Sequence, residues 1–384
     1  MSLALSRTGL MLGNFATGLS VLAPAGMLSV LADGLKVGVR ETGLLVTFGA
    51  VILCIGSPLA AWLTSRIDRR TLLIATLAVM TAGQGAMAFA PDYTVILALR
   101  LATLAIAAVF TPQAASTIGL MVPEKARSGA ISFVFLGWSL AVAGGLPLIT
   151  LIAAYTGWRG AFAFSSFASL VPCVLLAIGL PRQLRGPPLS LGSFAALARN
   201  PRIVMLLAIT LLFMGGQFTV FIYLGPVLER QTGASHETVS LMFLLYGVTG
   251  LIGNLIATRI VGRLGGRKTS AIFLISSLAG LALWAVGGGV LALMAAGIAF
   301  LGLGFAATNS VQQARLVQAA PALAGASVAL NTSSVYVGQA VGSGLGGILY
   351  GAGKLFALGM AGVVFVAIAL AIWALTRDRA VATR

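Results

Sequence analysis

Apolar residues run along this chain in long blocks, and short polar segments separate one block from the next. A transmembrane α-helix needs roughly 20 mainly apolar residues, and each block reaches about that length with few charges. The pattern therefore predicts twelve membrane-spanning helices, numbered here spans 1 to 12. They cover residues 8–32, 42–63, 71–90, 94–121, 129–154, 160–180, 203–228, 238–261, 269–287, 290–314, 324–350 and 355–376.

One longer polar segment divides the twelve spans into two sets of six. It is "PRQLRGPPLSLGSFAALARNPR" at residues 181–202, and it is rich in proline, glycine and arginine. Such a composition is typical of a linker. The sequence thus predicts an all-α membrane protein, with one six-helix bundle at 1–180 and a second at 203–384.

Composition supports this class. Of the 384 residues, 59% are hydrophobic and only 8% are charged, and the mean hydropathy is +1.04. A soluble domain carries about 25% charged residues, so too few charges are present to cover a water-exposed surface.

The net charge of +16 would fit a nucleic-acid-binding protein, but the positions of the charges indicate a membrane topology instead. With Arg7 inside, the inner segments hold 18 basic and 3 acidic residues, and the outer segments hold 5 of each. Cytoplasmic loops carry such an excess of lysine and arginine. We therefore expect a bacterial inner-membrane protein with both termini and the linker in the cytoplasm, and no nucleic acid among its partners.

Two basic loops occupy matching places in the two halves. "SRIDRRT" (65–71) follows span 2 and "RLGGRKT" (263–269) follows span 8; Gly56 lies 14 residues before Arg70, as Gly253 lies before Arg267. Repeated halves are typical of alternating-access transporters. Topogenic charge is the simplest role for either loop, but the matched positions also favour contacts at helix ends that hold one conformation. The residues assigned to this gating role are Arg66, Asp68, Arg69, Arg70, Arg263 and Arg267.

At these loops the chain resembles the major facilitator superfamily, in particular the sugar-efflux and arabinose-permease-like branch of its 12-span drug:proton antiporters. The family motif G-x-L-a-D-R-x-G-R-R appears as "AWLTSRIDRR", with Ala61, Ser65 and Asp68 at three altered positions. The missing aspartate weakens the usual interhelix ion pair, which Asp68 would replace from a shifted position.

Further stretches resemble the same branch in the same order. "GWSLAVAGGLPLITLIAAYTGWRGAF" (137–162) is similar to the antiporter motif of span 5, and the resemblance gives Gly144 and Pro147 a conformational role. "FTVFIYLGPVLERQTG" (218–233), "LMFLLYGVTGLIGN" (241–254) and "ALNTSSVYVGQAVGSGLGG" (329–347) are similar to spans 7, 8 and 11. The resemblance implies the two-bundle transporter fold and no enzymatic activity.

Arg100 is the one charge placed well inside a predicted span. A charge at that depth is costly, so it indicates function unless the side chain snorkels to the surface. It stands at the arginine of the family's R-x-x-Q-G motif, here "RLATL". Its expected role is either a contact with a polar or anionic substrate or a hydrogen bond to backbone carbonyls at a gate.

Polar and aromatic residues inside the spans form the predicted cavity lining. In the family, spans 1, 4, 7 and 10 line the cavity, and the amide pairs here lie three or four residues apart on one helix face. Each residue alone is explained equally well by an interhelical hydrogen bond. Such a lining suits a small neutral or amphipathic solute. We also expect the protein to be a monomer in the lipid bilayer and to need no cofactor or metal. The cavity candidates beside Arg100 are Asn14, Thr17, Trp138, Gln217, Phe221, Asn309, Gln313, Asn331 and Tyr336.

Proton coupling is expected to depart from the family pattern. The branch carries a glutamate in span 1, and Val21 stands in its place within "GLSVLAPAGML" (18–28). The acidic residues fall in loops or near span ends, and Asp33 and Glu229 are the nearest to the membrane interior. The sequence therefore predicts that transport is coupled weakly or not at all to protons at a central site. The remaining possibilities are facilitated diffusion and proton coupling at Asp33 or Glu229.

Several functions remain open at this stage. The leading interpretation is a secondary transporter that exports drugs, sugars or nucleoside-like compounds. An importer or uncoupled facilitator of the same fold, and a non-transporting sensor or assembly factor, are alternatives. A membrane enzyme is disfavoured, because no histidine, cysteine or carboxylate pair lies within the spans and no catalytic motif is present.

Overall fold

The computed structural model describes residues 3–64, 67–123, 126–184 and 191–376. Its regular elements in these ranges are helices, with one π-helical turn at Ala141–Gly145 and one 3-10 turn at Pro321–Leu323. The α-helices are α1 Leu3–Gly26, α2 Leu28–Leu35, α3 Val39–Leu63, α4 Arg69–Ala88, α5 Tyr93–Ala107, α6 Phe110–Met121, α7 Arg127–Leu140, α8 Leu146–Gly179, α9 Leu191–Ala198, α10 Pro201–Phe221, α11 Leu224–Thr232, α12 His236–Val286, α13 Leu291–Ala319, α14 Ala324–Gly351 and α15 Leu355–Leu375.

These helices correspond to the twelve predicted spans. In the described part of the chain, eight helical stretches could cross a membrane by length and composition, or nine when α1 and α2 count as one bent span. Two of the eight are 51 residues long, and each is broken at a glycine with positive φ, Gly157 (φ 76°) or Gly265 (φ 75°). Each therefore holds two spans, 5 with 6 and 8 with 9. Together with α14 this accounts for all twelve, and the predicted fold class is confirmed.

Three spans that the hydropathy pattern draws as single helices are broken in the structure. Span 1 divides into α1 and α2, span 4 into α5 and α6, and span 7 into α10 and α11. In span 1 the bend reaches 65°. Pro24 lies just before it, and because proline has no backbone N–H, the helical hydrogen bond at that position is missing. The break tilts α2 over one end of the bundle.

The two halves meet along span pairs 2 with 11 and 5 with 8. Gly247 of span 8 lies so close to span 5 that an added Cβ would come within 2.2 Å of the Ala143 Cα. Ala143 belongs to the π-helical turn Ala141–Gly145, which ends two residues before Pro147. The Pro147 carbonyl accepts a hydrogen bond from the Ser240 hydroxyl (3.1 Å). Proline removes a backbone donor here as well, and a widened turn is a common local result. The span 5 motif thus forms a contact between the halves.

Further hydrogen bonds join the halves at the end of the bundle that holds α2 and α11, which is the end predicted to face outside. Ser29 of α2 donates to Glu229 of α11 (2.6 Å). Tyr155 of span 5 donates to Glu237 of span 8 (2.9 Å). Together with the bond from Ser240 to the Pro147 carbonyl, these bonds join the halves toward the predicted outer end.

Candidate solute-binding site and gates

A polar cluster joins spans 1, 4 and 5 in the N-terminal half. The Asn14 Nδ2 donates to the Val134 carbonyl (3.0 Å), and its Oδ1 accepts from the Thr111 hydroxyl (2.7 Å). The Trp138 indole donates to the same hydroxyl (3.2 Å). Thr17, one turn beyond Asn14, donates to the Gly13 carbonyl of its own helix (2.9 Å). The structure therefore brings Asn14 and Trp138 together through Thr111, which the sequence pattern did not single out.

Arg100 is buried, with 1% of its surface exposed, and therefore does not snorkel. Its Nε donates to the Leu45 carbonyl of span 2 (2.8 Å). Its two terminal nitrogens donate to the Ser20 (2.9 Å) and Val21 (2.7 Å) carbonyls of span 1. All three of these partners are backbone carbonyls, and the gating role expected for such bonds stays a prediction. Arg100 fastens spans 1, 2 and 4 to each other.

Gln217 is the centre of a buried network in the C-terminal half. Its Nε2 donates to the Ser277 hydroxyl and to the Leu301 carbonyl (both 3.2 Å), and its Oε1 accepts from the Tyr246 hydroxyl (3.1 Å). Phe221, one turn further, packs against Tyr246 with ring centroids 4.6 Å apart and the rings tilted by 42°. Because the hydrogen-bonding groups of Gln217 are engaged by spans 8, 9 and 10, its geometry is that of a packing residue between helices.

The amides of spans 10 and 11 differ in their environment. Asn331 accepts from the Thr210 hydroxyl (2.9 Å) and donates to the Asn309 Oδ1 (3.4 Å), which brings spans 7, 10 and 11 together. Asn309 and Gln313 are partly exposed on one face of span 10, whereas Tyr336 of span 11 is buried.

Gln312, the neighbour of Gln313, is the more firmly held amide. It is fully buried, accepts from Ser270 (3.2 Å) and Arg315 (2.9 Å), and donates to the Leu206 carbonyl (3.3 Å). In a sequence two adjacent glutamines on an apolar helix cannot be told apart by periodicity alone. The helix rotation, which the packing sets, decides which of the two points inward.

The matched arginines of the two basic loops make equivalent contacts. Arg70, at the start of span 3, donates to the Ala177 carbonyl at the end of span 6. Arg267, at the start of span 9, donates to the Ala374 carbonyl (3.2 Å) at the end of span 12 and lies over the Trp373 ring (4.4 Å). Carbonyls in the last turn of a helix lack intrahelical partners and attract cations. The sequence repeat is therefore a repeat in structure.

The remaining residues of the first loop also contact neighbouring elements. Arg69 is buried and donates to the Gln113 side chain of span 4. Asp68 caps α4 by accepting from the Thr71 N–H (3.1 Å), and its other oxygen accepts from the Leu184 N–H (2.8 Å). Arg66 lies outside the described residues.

The environment of Asp68 changes its acidity. Partial burial opposes ionisation of its carboxylate, but the hydrogen bonds donated by Thr71, Leu184 and Gln183 outweigh this effect, so its pKa lies below the usual range. Its geometry is that of a helix cap tied to the first residues of the linker, rather than that of an ion-pair partner in another helix.

The other gating candidates have simpler surroundings. Arg263 is exposed on the second loop. Gly144 lies in the π-helical turn, and an added Cβ there would meet nothing within 4 Å. Pro147 contacts the other half directly, through its carbonyl.

The two acidic candidates at the outer end differ in position. Asp33 is exposed on α2. Glu229 lies at the junction of the halves, where it accepts from Ser29 and its Oε1 lies 3.5 Å from the His236 Nδ1. His236 follows Ser235, which caps α12 by accepting from the Thr238 N–H (3.4 Å). The short connection between α11 and α12, residues 233–235, brings His236 beside Glu229.

The described polar groups of the site make hydrogen bonds that join several helices. In the described ranges, no group of three or more histidine, cysteine and acidic residues is placed to hold a metal ion. The polar groups of spans 1, 4, 5, 10 and 11 and the contact between the halves are the features that a carrier of small molecules requires.

Comparison with known proteins agrees with this geometry. Residues 10–232 and 206–384 match the family model described as Major Facilitator Superfamily. The chain is 31% identical over 343 residues to the uncharacterized MFS-type transporter YtbD of Bacillus subtilis, covering 87% of this chain and 86% of that protein. It is 28% identical over 348 residues to the inner membrane transport protein YdhP of Escherichia coli K12, covering 90% and 88%.

Two more similarities bear on the branch and on the fold. The chain is 29% identical over 354 residues to a protein of Mannheimia succiniciproducens named "Probable sugar efflux transporter", covering 89% of this chain and 85% of that protein. Its fold is similar to that of a bacterial homologue of the human lysosomal transporter Spinster, solved in an inward-facing and occupied conformation. That similarity has a TM-score of 0.74 at 15% identity, and it covers 96% of this chain and 95% of the other. With the family model matching both halves and the predicted helices in place, the chain belongs to the major facilitator superfamily of membrane transporters.

Proposed function

We propose that this transporter exports small neutral or amphipathic solutes, sugars among them, across the bacterial inner membrane by alternating access. One observation carries the proposal. The halves are held together at the end that contains α2 and α11, through Ser29 with Glu229 and through Tyr155 with Glu237. Such a closed end is one of the two states that a carrier must exchange.

The chemistry of the lining supports the substrate class. Partly exposed groups such as Asn309 and Gln313 can hydrogen-bond hydroxyl or carbonyl oxygens, while most other residues of span 10 are apolar. The relative named as a sugar efflux transporter supports the same class and the direction. We further propose that residues 1–180 and 203–384 are the two moving bundles, and that both termini and the linker are cytoplasmic, because of the charge distribution.

Uncoupled facilitation is a second candidate, favoured by a specific observation. Arg100, a charge buried in span 4, donates its hydrogen bonds to three backbone carbonyls. Val21 stands where the branch carries a glutamate in span 1. A desolvated carboxylate is the usual proton carrier inside a membrane protein. We therefore propose that any proton coupling acts at the outer end rather than at a central site.

Counterflow in proteoliposomes tests both proposals. Purified protein is reconstituted with unlabelled arabinose or lactose inside, and uptake of the labelled sugar is followed with and without an imposed pH gradient. We expect counterflow in both conditions with little acceleration by the gradient. No flux of any neutral solute in a broad panel would contradict the transport proposal and favour a non-transporting role. Strong gradient-driven accumulation that survives Asp33→Asn and Glu229→Gln would contradict the coupling proposal.

A further inference from the structure

Span 2 of the N-terminal half and span 11 of the C-terminal half are joined by hydrogen bonds at two depths. Toward the predicted outer end, the Thr47 and Ser343 hydroxyls lie 2.8 Å apart, and either can be the donor. Toward the predicted inner end, the Ser333 hydroxyl donates to the Cys54 carbonyl (3.2 Å). Cys54 lies nine residues before the end of α3 at Leu63. At 1.5 Å per residue this is about 14 Å, so the inner bond lies near the middle of a hydrocarbon core about 30 Å thick.

The Cys54 carbonyl depends on a donor from outside its own helix. In an unbroken α-helix the N–H four residues further on would bond this oxygen, but the residue there is Pro58, which has no N–H. A backbone carbonyl without a donor is costly in the apolar part of a membrane. Ser333 therefore supplies, from the other half, the donor that Pro58 lacks.

A similar arrangement occurs in span 1. There Pro24 frees the Ser20 carbonyl, and the Arg100 guanidinium of span 4 donates to it (2.9 Å). That bond lies within one half of the protein, whereas the bond from Ser333 joins the two halves. A side-chain donor for a carbonyl freed by proline is thus found in two spans of this chain, and in span 2 it comes from the other bundle.

The outer pair of hydroxyls does not depend on the other half in this way. Thr47 can donate to the Gly43 carbonyl of its own helix (3.4 Å), and Ser343 can donate to the Ala340 carbonyl of its own helix (3.3 Å). When spans 2 and 11 separate at this depth, both hydroxyls keep an acceptor. The outer bond therefore breaks at little cost, whereas breaking the inner bond leaves the Cys54 carbonyl without its donor.

We propose that the bond from Ser333 to the Cys54 carbonyl is kept in both conformations of the transporter, and that spans 2 and 11 open to the outside by separating at Thr47 and Ser343. This inference rests on the proposed alternating-access function and identifies a contact about which the two halves turn. Pro58 makes the inner bond necessary, because it leaves a carbonyl of one half dependent on a hydroxyl of the other.

Thermal unfolding of the full chain in detergent tests whether Pro58 creates this dependence. Ser333→Ala should lower the Tm by roughly 2 °C or more, because the Cys54 carbonyl loses its donor. Ser334→Ala is the matched control, since it removes a hydroxyl from the neighbouring, partly exposed position, and it should change the Tm by less than about 1 °C.

Pro58→Ala completes the thermodynamic cycle. The N–H of residue 58 can then bond the Cys54 carbonyl within span 2, so adding Ser333→Ala to this variant should cost less than half of the Tm loss seen with Pro58 present. A Tm loss that is the same in both backgrounds, or one no larger than that of Ser334→Ala, would contradict the proposal.

Electron spin-echo distance measurements in lipid nanodiscs test whether the inner bond is kept when the outer end opens. Spin labels are placed at Pro91→Cys and Lys354→Cys, which are exposed positions at the outer ends of the two halves. Cys54→Ala and Cys173→Ala remove the native thiols. Cys54→Ala retains the backbone carbonyl that Ser333 contacts.

A bond present in both conformations favours neither of them, so Ser333→Ala should leave the fraction with a long distance unchanged. Thr47→Val removes a bond that we expect only in the outer-closed conformation, so it should raise that fraction about two- to tenfold. Equal responses of the two variants, or a larger response of Ser333→Ala, would overturn the proposal. Neither measurement uses a solute, so a failed sugar flux would contradict the proposed function while leaving these tests independent.

Discussion

Arg100 of span 4 donates a hydrogen bond to the Ser20 carbonyl of span 1, and that carbonyl lies four residues before Pro24. In an unbroken helix the N–H four residues on would bond this oxygen, but proline has none. The guanidinium therefore supplies the donor that Pro24 lacks. Arg100 and Pro24 lie on different helices but meet at one carbonyl of α1, shortly before the bend between α1 and α2.

Replacing Arg100 by alanine should reduce transport by at least about tenfold, because three buried carbonyls lose their donors and spans 1, 2 and 4 are no longer fastened. Insertion into the membrane should be retained, since the variant removes a buried charge. Arg100→Lys should recover only part of the activity, because lysine lacks the planar fork that reaches several acceptors. Counterflow rates at equal protein levels in the membrane provide the measurement, and a wild-type rate for Arg100→Ala would contradict this role.

Gly247→Ala should open the outer end. The added Cβ would come within 2.2 Å of the Ala143 Cα, so spans 5 and 8 would have to separate. Gly144→Ala is the matched control, because the space around that position is open and the same side chain is added. Access of a membrane-impermeant thiol reagent to Ser240→Cys should increase in the Gly247 variant alone. Equal access in the two variants would show that this contact does not close the outer end.

Gln217 and Gln313 should respond differently to replacement by leucine. Gln217→Leu leaves the Tyr246 hydroxyl without its acceptor and the Leu301 carbonyl without a donor, so the free energy of unfolding should fall by about 1–3 kcal/mol. Gln313→Leu, at a partly exposed position, should change the KM for solute with little effect on stability. Thermal unfolding in detergent and counterflow kinetics separate the two effects. A stability loss confined to the Gln313 variant would contradict the assignment.

Arg267→Ala should lower the free energy of unfolding by about 1–3 kcal/mol, because the variant loses the bond to Ala374 at the end of span 12 and the stacking on Trp373. Arg263→Ala removes the same charge from the same loop at an exposed position and should stay within about 0.5 kcal/mol of wild type. Thermal unfolding of both variants gives the comparison. An equal effect of the two would mean that loop charge, rather than the helix-end contact, stabilises the protein.

A cysteine in the linker should be inaccessible from outside the cell. In a chain with Cys54→Ser and Cys173→Ser, a membrane-impermeant maleimide should label Lys354→Cys in intact cells but should label Ser190→Cys only after the membrane is opened. The reason is the excess of 18 basic over 3 acidic residues on the side that contains the linker. Labelling of Ser190→Cys in intact cells would reverse the proposed topology.

Hydropathy and charge in the sequence alone determined the twelve-span class and the two-half repeat. The reason is physical, since a bilayer requires long apolar helices and the charges between them bias their orientation. The repeat of Gly56 with Arg70 and Gly253 with Arg267 also indicated matched loops, and the structure shows matched contacts for Arg70 and Arg267. These properties depend on local composition and on spacing along one chain.

Tertiary structure alone decided which polar side chains face each other. In an apolar helix the pattern gives no polar stripe from which to read rotation, so it could not show that Gln312 points inward while Gln313 stays partly exposed. It could not assign Arg100 to three carbonyls, because these belong to spans 1 and 2, and only the packing of those spans against span 4 brings them to the guanidinium. The contact of Glu229 with His236 likewise depends on how α11 and α12 are oriented across their short connection. Such contacts depend on how helices turn and pack against each other, which a single helix's sequence does not specify.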